Sequence, residues 1–166
     1  MDNPFCQNKN KIYCMGPQSK GNSTYSTLPN NCVPKDCNFG QVSSPNCKCA
    51  YPYTGTLVFR APSFSDLGNS SYYIVLQKSL MNYSQSQKLP VDSVSLSNPI
   101  KDSSENLEIS LQVFPSVEDH FNQIRISSIG FVLSNQTYKP PHEFGPYFFN
   151  AMPYGYFVGN FKFTIL

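Results

Sequence analysis

Residues 107–114 read LEISLQVF, the clearest signal of regular structure in this chain. Apolar side chains stand at Leu107, Ile109, Leu111 and Val113, with a polar residue between each pair. Because successive side chains of a strand point to opposite faces of a sheet, this alternation predicts a half-buried β-strand. Pro115 then ends the strand.

Two further strands are predicted upstream. The segment VDSVSLS, residues 91–97, places Val94 and Leu96 on one face. Residues 98–106 (NPIKDSSEN) are polar and rich in turn formers, so residues 91–97 and 107–114 are predicted to pair as a hairpin with a long loop. Earlier in the chain, the apolar run at residues 57–59 has turn residues on both sides and predicts a buried strand.

Two helices are predicted around this hairpin. The first follows several possible N-caps in residues 66–71 and ends near Lys88. Its apolar residues recur at intervals of three and four, namely Tyr72, Tyr73, Leu76, Leu80 and Tyr83. The second shows the same spacing at Phe121, Ile126, Ile129 and Leu133. A capping-box pattern at residues 116–119 competes with a later start near Gln123. Residues 127–134, with Gly130 among them, are also compatible with a strand.

A last strand is predicted at residues 147–149, after the Pro140-Pro141 break. The element order is then strand, helix, strand, strand, helix, strand. This order is typical of the split βαββαβ fold, ferredoxin-like or SEA-like, in which two helices cover one face of a four-stranded antiparallel sheet. The fold class predicted is α+β, with a cysteine-rich loop segment in front.

All six cysteines lie before residue 50, in a segment rich in Asn, Pro, Ser and Gly. They are Cys6, Cys14, Cys32, Cys37, Cys47 and Cys49. A loop-rich segment without a core of its own favours structural disulfides, and six cysteines allow 15 pairings. We favour Cys6 with Cys14, which leaves the other four to pair among themselves. A bridge between Cys47 and Cys49 would close a small, strained ring and would therefore be reducible.

Zinc binding is the competing use of these cysteines, but one residue between Cys47 and Cys49 is a shorter spacer than zinc sites use. His120 and His142 are distant in sequence and carry no catalytic pattern. The chain has no phosphate-binding glycine loop, nucleophile elbow or kinase motif, so neither catalysis nor a cofactor is predicted.

Composition narrows the possible partners and the cellular compartment. The formal net charge is +2 without a Lys/Arg run, which argues against nucleic acid and anionic lipid as partners. No apolar run approaches the roughly 20 residues of a membrane span, and residues 1–11 do not resemble a signal peptide. Glycosylation sequons nevertheless begin at four asparagines: Asn22, Asn69, Asn82 and Asn135. Together with the cysteines, they indicate an extracellular protein.

Four blocks of sequence resemble the ectodomain of plant leucine-rich-repeat receptor-like kinases, specifically relatives of the hydrogen-peroxide and quinone sensors. The blocks are NCKCAYPYTGTLVFRAPSFSDL at residues 46–67, LPVDSVSLSNP at 89–99, GFVLSNQTYKPP at 130–141 and EFGPYFF at 143–149. In that family this region lies between the last repeat and the membrane helix. The resemblance implies that Cys32, Cys37, Cys47 and Cys49 can act as an oxidant-sensing element.

The same resemblance implies a division of the chain into four parts. Residues 1–16 would end the repeat cap, 17–50 would form a disulfide-bonded connector, and 51–153 would form an extracellular α+β module. Residues 154–166 depart from the family pattern and are predicted to be the tail of a truncated product.

The expected function is that of a non-catalytic receptor fragment at the extracellular face of the plasma membrane. Its partners would be the rest of an ectodomain or a co-receptor, and a small-molecule oxidant. One alternative is a secreted module that binds cell-wall glycan or peptide, and another is a non-functional truncated product. Some aromatic residues could line a glycan or peptide groove, but in small domains such residues are more often core, so no binding pocket is assigned. They are Tyr51, Tyr53, Phe59, Phe64, Tyr147, Phe148 and Phe149.

Overall fold

The computed structural model of the chain describes residues 24–159. The predicted repeat-cap end at residues 1–16, with Cys6 and Cys14, and the sequon at Asn22 lie outside this range. Most of the predicted tail does so as well. In chain order the elements of residues 24–159 are β1 (Val42–Ser43), β2 (Cys49–Ala50), β3 (Tyr53–Phe59), α1 (Ser70–Ser86), β4 (Val91–Lys101), β5 (Leu107–Pro115), α2 (Gln123–Ser134), β6 (Tyr147–Ala151) and α3 (Gly155–Gly159).

The main sheet has four strands in the order β4-β5-β3-β6, and every neighbouring pair is antiparallel. This is the split βαββαβ topology, so the predicted α+β fold class is confirmed. In the central pair, Leu57 lies opposite Ile109 and Gly55 opposite Leu111. The apolar set of LEISLQVF is buried, whereas the polar residues between them are only partly covered.

One continuous core joins both helices to the same face of the sheet. Helix α1 contributes Tyr73, Leu76 and Leu80, while α2 contributes Ile129 and Leu133. They pack with the inward-facing residues of β3, β4 and β5 in a single apolar cluster. These residues of the spacing predicted from sequence are the buried stripe of each helix. Tyr72, Tyr83 and Ile126 are half-buried, and the buried Phe121 lies before α2.

Side-chain caps fix where the two helices begin. The Asn69 carboxamide oxygen accepts the Ser71 N–H (3.1 Å), and α1 starts at Ser70. The Asn122 oxygen accepts the Arg125 N–H (2.9 Å), so α2 starts at Gln123 and not at the competing capping-box pattern. Such caps satisfy N–H groups that have no partner within the helix.

Two sequence interpretations need correction. The strand considered for residues 127–134 is wrong, because these residues are helical. A Cβ at Gly130 would lie 2.9 Å from the Tyr53 hydroxyl, so the glycine permits close packing of α2 on the sheet. The hairpin loop is also shorter than predicted. Strand β4 continues to Lys101 through a register shift at residues 97–100, where Asn98 has a φ of 51°.

Among residues 24–159, no helix has both the length and the apolar character that crossing a membrane would require.

Candidate functional site

Two crossed disulfides hold the part of the connector that the structure describes. Cys32 is bonded to Cys47, and Cys37 is bonded to Cys49. Cys37 lies inside the loop that the first bridge closes and Cys49 lies outside it, so the two loops overlap along the chain. The small ring considered between Cys47 and Cys49 does not form. All four sulfurs are used in bridges, which leaves no thiolate among them to bind zinc.

A tight hairpin turn sets the positions of Cys47 and Cys49. Strands β1 and β2 pair, the Ser44 N–H donates to the Lys48 carbonyl (2.8 Å), and the Cys47 N–H donates to the Ser44 carbonyl (2.8 Å). Cys47 occupies the left-handed position of this turn, with φ of 57° and only 5% of its surface exposed. Glycine is the usual residue at such a position. Cys47 and Cys49 thus lie in different backbone environments and bond to different partners.

Residues 25–27 of the connector pair with the free edge of β4. Ser26 forms an antiparallel bridge with Ser97, and the Asn98 N–H donates to the Tyr25 carbonyl (3.0 Å). The Thr27 N–H donates to the Leu96 carbonyl (2.9 Å). An uncovered edge strand exposes unpaired backbone groups that invite association. The connector satisfies several of those groups on β4.

An aromatic contact reinforces this edge pairing. The ring of Tyr25 packs on that of Tyr73 in α1, with centroids 4.6 Å apart. The Tyr73 hydroxyl donates to the Leu67 carbonyl (2.7 Å), which fixes the ring within the core. The connector is therefore attached to the helix layer as well as to the sheet.

The hairpin tip makes a second contact, with Asp92 at the start of β4. The Asn46 carboxamide donates to one Asp92 carboxylate oxygen (2.8 Å), and the Lys48 ammonium lies 3.3 Å from the other. Lys48 is 67% exposed, so this ion pair adds little stability. The contact mainly fixes where the tip rests on the sheet.

A third contact involves Asp119, in the loop before α2. Its carbonyl accepts the Tyr51 N–H (2.7 Å), and its carboxylate accepts the Gln41 carboxamide (2.8 Å). The His120 ring lies 2.7 Å from the other Asp119 oxygen and stacks on Tyr156, with centroids 4.1 Å apart. His120 is thus a packing residue, and His142 is exposed at the surface.

Tyr154 joins the connector end, the α2 loop and the last helix. Its hydroxyl accepts the Phe121 N–H (2.8 Å) and donates to the Tyr51 carbonyl (2.9 Å). Burial raises the pKa of Tyr154 to about 12, so the phenol keeps its proton at physiological pH. The sequence predicts Tyr154 to begin the tail, yet this residue is buried in the core.

None of Asp92, Asp119 and Tyr154 is predicted as a site residue from the sequence. The signal that points to Tyr154 is the aromatic content of residues 154–157 (YGYF), which is unusual for a solvated tail. The two aspartates act through contacts with distant residues and carry no local pattern.

The aromatic residues considered for a glycan or peptide groove do not form one. Tyr53, Phe59, Phe64, Tyr147 and Phe149 are buried members of the core. Tyr51 and Phe148 are half-buried, and the Arg60 guanidinium lies 5.4 Å from the centre of the Phe148 ring. Their role is packing.

The three sequon asparagines that the structure describes are exposed, and all lie on the helix layer. Asn69 caps the start of α1, Asn82 lies within α1, and Asn135 caps the end of α2. The strands of the main sheet carry none of the sequons in residues 24–159. Any glycans at these three positions would extend from one side of the molecule.

Comparison with known proteins identifies a relative among plant receptor-like kinases. The chain is 41% identical over 157 residues to a probable leucine-rich repeat receptor-like protein kinase of Arabidopsis thaliana. The alignment covers 92% of this chain and 16% of that protein. No protein-family model matches the chain, and no solved structure matches it. The chain is related to one region of a plant receptor-like kinase.

Proposed function

We propose that this chain is a non-catalytic extracellular segment of a plant receptor-like kinase. Connector and module would act together as a spacer and interaction element in signal perception at the cell surface. The observation that carries the proposal is the 41% identity over 92% of the chain. The two disulfides support the location, because such bonds persist in oxidising compartments. The partners would be the rest of the ectodomain or a co-receptor.

Three separate contacts between connector and module support a spacer that moves as one body. Tyr25 to Thr27 pair with β4, Asn46 reaches Asp92, and Gln41 reaches Asp119. A segment attached at three points cannot rotate about any one of them. A movement of the connector would therefore be transmitted to the module.

N-glycans on Asn69, Asn82, Asn135 and Asn22 are part of the proposal. At Asn69 the helix cap uses the carboxamide oxygen, whereas an N-glycan is carried by the nitrogen. Capping and glycosylation are thus compatible at this residue.

Production of the chain in plant cells tests the location. One version enters the secretory pathway through an added signal sequence, and a matched version stays in the cytosol. We expect the secreted form to carry both bridges in non-reducing peptide mapping and to unfold at a higher urea concentration. The cytosolic form should keep free thiols, because that compartment is reducing. A cytosolic form with free thiols and equal stability would contradict the proposal.

We also propose that the protein senses oxidants, and we assign this role to the Cys37–Cys49 bridge. Cys37 and Cys49 are both partly exposed, whereas the other bridge joins the partly exposed Cys32 to Cys47, which is 5% exposed. Thiol–disulfide exchange requires access to a sulfur atom. In the sensing direction, a peroxide would take two electrons and two protons from the thiols of Cys37 and Cys49, which join as the bridge, and would be reduced to water.

Stepwise reduction measures which bridge responds first. The secreted protein is treated with increasing concentrations of a dithiol, the free thiols are alkylated, and each cysteine is quantified by mass spectrometry. We expect Cys37 and Cys49 to be labelled faster than Cys32 and Cys47, because both residues of their bridge are partly exposed whereas Cys47 is buried. Peroxide should then restore the Cys37–Cys49 bridge. Faster labelling of Cys32 and Cys47 would remove this assignment.

A further inference from the structure

The outer face of α2 carries an unexplained apolar surface. Ile124 is 77% exposed and Phe131 is 67% exposed, although both are large apolar residues. With Gln123, Ser127 and Ser128 they line a shallow groove of about 450 Å³ along the helix. Exposed apolar side chains that share one groove with polar neighbours make that groove a candidate contact surface.

The sequon at Asn135 continues this stripe. Asn135 lies four residues after Phe131, and its N–H donates to the Phe131 carbonyl (2.9 Å), so the helical spacing extends to the cap. Residues four apart on a helix are neighbours on its surface, with Cβ atoms about 5–6 Å apart. Side chains of a helix also lean toward its N-terminus. Asn135 is therefore a surface neighbour of Phe131.

We propose that this groove is the seat of an N-glycan on Asn135, whose first N-acetylglucosamine packs on the Phe131 ring. This inference rests on the extracellular location proposed above. The glycan would be transferred from a lipid-linked pyrophosphate donor. The bond between C1 of the sugar and the pyrophosphate oxygen breaks, the bond from C1 to the Asn135 amide nitrogen forms, and that nitrogen loses a proton.

The chemistry of the groove matches that of a pyranose. One face of the sugar presents C–H groups, which suit an aromatic ring, and its rim presents hydroxyls. The Ser128 hydroxyl donates to the Ile124 carbonyl (3.0 Å), so its oxygen can accept from a sugar hydroxyl. At a rise of about 1.5 Å per residue, Ser128 lies about 10 Å and Ile124 about 16 Å along the helix from Asn135. The first two or three sugars span this length.

The local geometry of Asn135 leaves the glycan-bearing atom available. Its carboxamide oxygen accepts the Thr137 N–H (3.1 Å), which holds the sequon as a tight turn after the helix. The amide nitrogen is the atom that would carry the sugar. Attachment therefore preserves the turn.

Asn82 offers a matched control on the other helix. It is exposed like Asn135 but lies within its helix, and the residue four positions earlier is Lys78, which is exposed and has no ring. A glycan on Asn82 therefore has no aromatic ring at the equivalent position, four residues earlier, on which to pack.

The test is a double-mutant cycle on the secreted glycoprotein. Asn135→Gln removes the glycan. Phe131→Ala removes the aromatic ring on which the sugar would pack, at an exposed position. We expect Asn135→Gln to lower Tm by about 3 °C when Phe131 is present, and by less than about 1 °C in the Phe131→Ala background. Asn82→Gln should shift Tm equally in both backgrounds. Equal losses from Asn135→Gln in the two backgrounds would overturn the inference.

Two further measurements separate this inference from the proposal on which it rests. Nuclear Overhauser contacts are expected between protons of the Asn135-linked sugar and the Phe131 ring. Their absence would overturn the proposed packing of the sugar on this ring, whatever the Tm values. Glycopeptide mapping reports occupancy. If Asn135 carries no glycan while Asn69 and Asn82 do, only the inference about the groove is overturned. If none of the three carries a glycan, the proposed extracellular location is overturned as well.

Discussion

Replacing Gly55 with alanine is expected to lower the free energy of unfolding by about 3 kcal/mol, at the upper end of the range for overpacking a core. A Cβ at this position would meet the Phe149 ring and would lie 2.5 Å from the Asn150 carbonyl oxygen. Gly55 pairs with Leu111 on one side and Ala151 on the other. Because the central strand is held from both sides, its backbone cannot move away from the new methyl group.

Gly155→Ala is the matched control. A Cβ there would meet no atom within 4 Å, so we expect a change of at most about 0.5 kcal/mol. Urea unfolding followed by far-UV circular dichroism suits both variants, since the chain contains no tryptophan. Similar midpoints for Gly55→Ala and the unmodified protein would mean that β6 does not pack on β3 as described.

Most of the fold could be predicted because its elements have local periods. The alternation in LEISLQVF identified β5, and the spacing of Tyr73, Leu76 and Leu80 identified α1. Strand β4 was underestimated because Asn98 and Pro99 are typical of turns. In the structure a register shift accommodates them, and the strand continues. Pairing with β5 decides the end of β4, and that contact has no local signature.

The candidate site was predictable only in part, for a similar reason. Segregation of the cysteines predicted a disulfide-bonded N-terminal segment, but spacing alone leaves many pairings open. The contacts that attach the connector join residues far apart in the chain, such as Tyr154 and Tyr51, which are separated by 103 positions. Asp92 and Asp119 acquire their partners only after the sheet and the hairpin have come together. Such contacts can be predicted only after the fold is known.

Removing both bridges should release the connector while the module stays folded. The variant replaces the four bridge cysteines by serine: Cys32, Cys37, Cys47 and Cys49. The bridges close intervals of 15 and 12 residues, and a loop of this size contributes about 3 kcal/mol. The two losses should sum to less than twice this value, because the loops overlap. The core of the module lies in β3 to β6 and the helices, which contain no cysteine, so its own packing is retained.

Amide hydrogen exchange distinguishes the two halves within one sample. The Thr27 and Asn98 N–H groups pair connector with β4, and their protection should fall by about 100-fold in the four-serine variant, equivalent to about 3 kcal/mol. Amides of Leu57 and Ile109 in the central strands should keep most of their protection, which provides the internal control. If all four amides lost protection together, connector and module would be one cooperative unit, and the bridges would stabilise the module directly. If none did, the edge pairing and the Tyr25–Tyr73 contact would hold the connector without sulfur, and reduction of the bridges could not alter how the two halves are joined.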